Sequence, residues 1–270
     1  MVRICIFLCI LFYSFFAHSG SEEDLYSLQH ENVCIECDFS EFDLSKLDFQ
    51  HSNLSSSNFD EAILTKSYFQ NSNLSNSSFI NSTLINVNFE AANFENSLFK
   101  NSKGPASKFL GASFKNVNFT NVDFRGSKMQ AVEISNANIA ESNFKSIDFT
   151  GANLFATNFI NTDLENSDFS GTNMIDVSFE KTNLKNVNFR GSNLNGAVFK
   201  DVELFGAEFI SSDISNVNFH EASFRGVIFK DVIICGKRIF GTVRVKSFIE
   251  GIISEENENS TNFLASLSCN

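Results

Sequence analysis

The chain has 270 residues, of which 33 are Phe, with no Trp, one Pro and three Tyr. One bulky residue type recurring in this way marks a repeat architecture more than a mixed globular core. Charged residues make up 19% and hydrophobic ones 43%, so the chain can bury a core and is neither disordered nor collagenous. The net charge of −12 argues against direct nucleic-acid binding, which needs clustered Lys and Arg.

Residues 1–19 read as a secretory signal peptide. Arg3 supplies the positive start, Ile4 to Phe16 form a 13-residue apolar stretch, and Ala17-His18-Ser19 offers small residues before a cut at Gly20. Thirteen apolar residues are too few to span a bilayer, so no transmembrane segment is expected in the mature chain. Cys5 and Cys9 leave with the signal. Cys34, Cys37, Cys235 and Cys269 remain, an even number in a disulfide-permissive compartment.

Residues 20–38 are expected to cap the N-terminal end. Ser21-Glu22-Glu23-Asp24 is a capping-box pattern ahead of Leu25 and Leu28, which predicts a short helix. Cys34 and Cys37 both fall on inward phases of the pattern that follows. They read either as two apolar plugs or as a local disulfide; a redox pair lacks its usual βαβ setting.

From Phe39 to Ile234 an apolar residue stands at every fifth position without a phase slip. Of these 40 centres, 39 are Phe, Leu, Ile or Met, and the exception is Gly104. Neither an α-helix nor a flat strand has a period of five. Two residues before each centre, from Ser52 to Val232, stands Ser, Ala, Val or Thr, with Ile147 the one departure. A small and a large residue pointing inward together suit a narrow tube. The residue between them is Asn or Asp in 23 of 40 cases, and these side chains favour turns by bonding to nearby backbone.

Stretches such as Gly151-Ala152-Asn153-Leu154-Phe155 closely resemble the pentapeptide-repeat family, whose motif is A-(D/N)-L-x-x. The resemblance covers residues 39–234. It implies an all-β fold: a right-handed quadrilateral parallel β-helix of about ten coils, with small N- and C-terminal caps. Phe fills 18 of the 20 odd-numbered centres, which in a four-sided coil puts Phe on two opposite sides for volume matching. Lys103-Gly104-Pro105-Ala106 is the one damaged repeat, and a local distortion or small loop is expected there.

Residues 235–270 read as a C-terminal cap and tail, in which Thr242–Lys246 alternate like a strand and residues 247–268 have room for helical turns. Glu255, Glu256 and Glu258 read as a solvated link, and Cys235 with Cys269 could tie the tail down.

Catalytic material is scarce. His30, His51 and His220 lie far apart, no Cys/His/carboxylate set has metal-ligand spacing, and no Gly-rich phosphate loop occurs. No cofactor, metal or enzymatic activity is expected. Some members of the family imitate DNA and act on topoisomerases, but residues 38–234 hold 23 acidic and 15 basic residues, far short of the one charge per ~1.7 Å of duplex DNA. The preferred reading is an exported interaction or structural rod with a protein partner or a second copy. A gyrase-directed DNA mimic and an effector delivered to a host cell are the alternatives. Phe155, Ile160, Ile175, Phe205 and Ile210 are apolar at outward positions and form the candidate contact patch.

Overall fold

One pentapeptide, Ser57–Glu61, shows how the chain satisfies its backbone. In the computed structural model, which describes residues 22–245, 248–249, 252–253 and 269, each of its five N–H groups has a partner. Ser57 N donates to Leu54 O across a turn (3.4 Å), and Asn58 N donates to Cys37 O (2.9 Å). Phe59 N and Glu61 N donate to Ser78 O and Ile80 O (2.7 and 2.8 Å). Asp60 N donates to the side-chain Oδ1 of Asn58 (3.0 Å). Where Asn or Asp stands before a centre, its side chain thus serves the N–H that the turn and the coil-to-coil backbone bonds leave over.

The pattern repeats with a register of twenty. Asn58 pairs with Ser78, Ser78 with Leu98 and Leu98 with Asn118, always parallel. Each twenty residues contain four tight turns. In the turn Phe59-Asp60-Glu61-Ala62 the last N–H returns to Phe59 O (3.2 Å), and Glu61 has φ 61°. A single positive φ, at the third residue, is the signature of a type II turn. Asn, Asp and Gly suit that place, and the chain puts one of them there in most coils.

Inside, the centres and the small residues fill the tube. Every centre from Phe39 to Ile234 is buried except Phe219, which is half-buried beside the last coils. All the small positions from Ser52 to Val232 are buried as well. Rings twenty apart stack, as Phe59 and Phe79 do with centroids 4.9 Å apart and planes within 3°. Rings ten apart meet edge-on, as Phe59 and Phe69 do at 6.1 Å and 86°. Both are favoured aromatic geometries. Many buried serines bond to backbone carbonyls, for instance Ser77 Oγ to Leu54 O (3.0 Å), whereas the hydroxyls of Ser52, Ser102 and Ser212 are buried with no hydrogen-bond partner among the described residues.

The repeat passes through Gly104-Pro105 without a break, against the expected distortion. Lys103 pairs with both Thr83 and Asp123. A Cβ on Gly104 would lie 2.2 Å from a ring carbon of Phe124, so the Phe124 ring occupies the space of the missing side chain. Pro105 takes the second place of a type II turn, where its fixed φ is favoured. The N–H it lacks is the one that would need an Asn or Asp before the centre, and here that residue is Lys103.

At the N-terminal end, α1 (Glu22–Glu31) covers the first coil with Leu28 buried and Leu25 packed on the core. Pairing starts at Val33↔Asn53, a few residues ahead of the predicted boundary at 39. Cys34 and Cys37 form a disulfide with each other.

At the other end, short strands appear: β1 (Glu203–Phe205), β2 (Glu208–Ile210), β3 (Ser223–Arg225), β4 (Val227–Ile234) and β5 (Lys237–Val245). β1 and β3 pair parallel, as do β2 and β4, but β4 and β5 form an antiparallel hairpin. β6 (Phe248–Ile249) and β7 (Ile252–Ile253) continue antiparallel from β3. Strands thus occupy part of the stretch where helical turns had room. A disulfide joins Cys235, at the hairpin turn, to Cys269. Glu255, Glu256, Glu258 and the signal-peptide reading lie outside the described residues.

Candidate interaction surface

The outward residues stand in columns, each member twenty residues from the next. Phe155 and Ile175 share one column in adjacent coils, and Ala156 N donates to Ile175 O (3.0 Å) between them. Phe155 is exposed at 39%, and Ile175 is half-buried. Ile160, Phe205 and Ile210 are half-buried and stand in three other columns. The fold therefore brings two of the five predicted patch residues together. Phe205 and Ile210 lie at the ends of β1 and β2.

A hydrogen-bonded ladder runs beside Phe155 and Ile175. Asn173 Nδ2 donates to Asn153 Oδ1 (2.9 Å), and Asn153 Nδ2 donates to both carboxylate oxygens of Glu133 (3.0 and 2.9 Å). Burial would raise the pKa of Glu133, but hydrogen bonds from Asn153 and Ser135 and the nearby Lys115 hold it below the usual carboxylate value. Asn153 Oδ1 also accepts from Phe155 N (3.3 Å). The ladder fixes the backbone from which Phe155 projects.

Other exposed apolar residues escaped the sequence reading: Val33, Ile35, Ile63, Tyr68, Leu110, Ile239 and Phe240. The signal for Ile63, Tyr68 and Leu110 was present, since each is a large apolar residue off the inward phase of the repeat. Phe240, on β5, is 82% exposed.

A groove of about 680 Å³ runs between the column Asn81, Asn101, Asn121 and the column Lys103, Asp123, Asn143. Asn121 Nδ2 donates to Asn101 Oδ1 (2.7 Å), and Asp123 is paired with Arg125 (2.8 Å); neither His nor Cys lines the groove. Lys145 and Glu165 pair at 2.8 Å, which raises the pKa of the amine and lowers that of the carboxylate. Among the described residues one group, Asp24 with Cys34 and Cys37, has metal-ligand proximity, but the two sulfurs are bonded to each other. Asp24 instead accepts from Asp38 N (2.9 Å). His51 sits at a turn, and His220 lies 3.5 Å from Glu221. No helix among the described residues is long and apolar enough to cross a membrane.

Comparison with known proteins agrees with the repeat geometry. No curated protein sequence matches the chain. Among solved structures it is similar to HetL, a pentapeptide repeat protein involved in heterocyst differentiation regulation from the cyanobacterium Nostoc sp. strain PCC 7120. That similarity has a TM-score of 0.72 at 15% identity, over 82% of this chain and 100% of HetL. A pentapeptide repeat protein from the Arabidopsis thaliana thylakoid lumen matches at TM-score 0.30 and 21% identity, over 38% of this chain and 69% of that one. QnrB1, a plasmid-mediated fluoroquinolone resistance protein, matches in full-length form at TM-score 0.27 and 17% identity, over 86% and 98%. The model described as "Pentapeptide repeat region" matches residues 72–143 and 130–199. The model "Pentapeptide repeats (8 copies)" matches residues 33–70, 182–220 and 203–236. With its five-residue period, its turn at every fifth residue and these matches along nearly the whole paired region, the chain belongs to the pentapeptide-repeat family.

Proposed function

We propose that this protein is an exported, non-enzymatic rod, a right-handed four-sided solenoid of about ten coils, that acts by holding a protein partner against its outer surface. The observation that carries the reading is the pair Phe155 and Ile175. An exposed aromatic stands one coil from a half-buried aliphatic in the same column, on backbone held by the ladder from Glu133 to Asn173. A rigid aromatic on a fixed lattice is the kind of anchor that dominates protein interfaces. In the groove the side chains of Asn101 and Asp123 are already hydrogen-bonded or ion-paired, and neither His nor Cys lines it. The apolar stretch from Ile4 to Phe16 supports export.

The test is affinity capture from the compartment in which the protein resides, comparing the wild type with the double substitution Phe155→Ser, Ile175→Ser. The expected result is loss of the captured partner with an unchanged melting temperature. Capture of the same partner by both proteins would refute the patch.

A further inference from the structure

The strip of surface between the turns at residues 41 and 46, repeated one coil on at 61 and 66, carries opposite charges on its two edges. Glu41 and Glu61 stand one above the other on one edge, and Lys46 and Lys66 on the other. All four are exposed turn residues with positive φ. The register of twenty places each pair in adjacent coils: Asp43 pairs with Ile63, and Lys46 N donates to Thr65 O (3.0 Å). Like charges so placed repel across one rung of ~4.8 Å. Lys46, Lys66 and Glu61 make no ion pair among the described residues. Between the edges the strip holds the exposed Asp43 and half-buried Ser45 in one coil, then Ile63, exposed at 41%, and Thr65 in the next; Thr83 and Ile85 continue these two columns one coil further on.

We infer that this strip is an isologous interface for a second copy of the chain, with the two solenoids parallel. A two-fold axis running along the solenoid sets the acidic edge of each copy against the basic edge of the other, so both pairs of contacts form at once. Ile63 of one copy then meets the partner's Thr65, and Ile85 meets the partner's Thr83. An antiparallel arrangement sets Glu against Glu and Lys against Lys, so the charge pattern selects the parallel one. A second copy also carries its charges at the same coil-to-coil pitch, which an unrelated surface has no reason to match. Farther along, Asp163 would meet the partner's Glu165, so the contact is confined to the N-terminal coils.

The test is sedimentation velocity of the full chain and two double charge reversals, Glu41→Lys with Glu61→Lys, and Lys46→Glu with Lys66→Glu. The wild type is expected to be dimeric at about 0.05 M salt and to dissociate toward about 1 M, where charges are screened. Each reversed variant alone is expected to be monomeric, because like edges then meet. An equimolar mixture of the two is expected to recover dimer, because one copy is basic on both edges and the other acidic on both. Circular dichroism melts confirm that the variants fold, since all four positions are exposed. A wild type that stays monomeric on the order of 0.1 mM, reversed variants that dimerise as well as the wild type, or a mixture of folded variants that stays monomeric would each overturn the assignment.

Discussion

Gly104 and Phe124 divide between them the space of two ordinary centres. A Cβ at residue 104 would strike the Phe124 ring, with Leu84 Cβ 3.1 Å away on the other side. The Phe124 ring fills the volume that Gly104, the one centre outside the pattern, leaves empty in this column. Gly104→Ala is therefore expected to destabilise the chain by roughly 1–3 kcal/mol, the usual cost of overpacking. Adding Phe124→Leu should recover much of that loss, because the smaller side chain withdraws from residue 104. Thermal unfolding of the two single variants and the double variant measures the coupling. Strictly additive effects would show that the two residues do not share one space. The sequence marked this site as damaged because the repeat was read one position at a time. The compensation lies twenty residues away, and only the coil register brings it into contact.

The elements at the two ends carry what the five-residue period does not. In the middle of the chain the pattern specified every inward residue, because each centre's burial depends on its phase alone. Exposure on the outer surface depends on neighbours in adjacent coils as well, so Phe155 and Phe205, alike in phase, differ: one is exposed and the other half-buried. The capping box anticipated α1, whereas the disulfides were left among alternatives, since spacing does not tell two thiols from a bonded pair. The β4–β5 hairpin turns the chain back where the solenoid would otherwise present an open edge. The Cys235–Cys269 bond ties the hairpin turn to a residue 34 positions further along the chain. In a solenoid each coil contacts mainly its neighbours, so its removal should act locally. Cys235→Ser with Cys269→Ser is expected to lower hydrogen-exchange protection in β4 and β5 and leave residues 52–199 unchanged. The lost chain constraint is worth roughly 3–4 kcal/mol for a loop of that length. Uniform loss of protection along the whole chain would contradict a local clamp.

Over the whole molecule, the wall of phenylalanines accounts for the unusual composition and sets no chemistry of its own. The proposed function rests on the few residues that break the surface pattern, Phe155 with Ile175 for a partner, and the inferred self-association rests on the charged edges at 41–66. The proposed export to outside the cytoplasm rests on the apolar stretch at Ile4–Phe16, whereas a gyrase-directed mimic needs the cytoplasm and a denser line of carboxylates than the 23 acidic and 15 basic residues of 38–234 supply. The intact mass and N-terminal residue of the protein recovered from fractionated cells test this account most directly. It predicts a chain that begins at Gly20 in the exported fraction, with four cysteines remaining; a chain that begins at Met1 in the cytoplasmic fraction would contradict it.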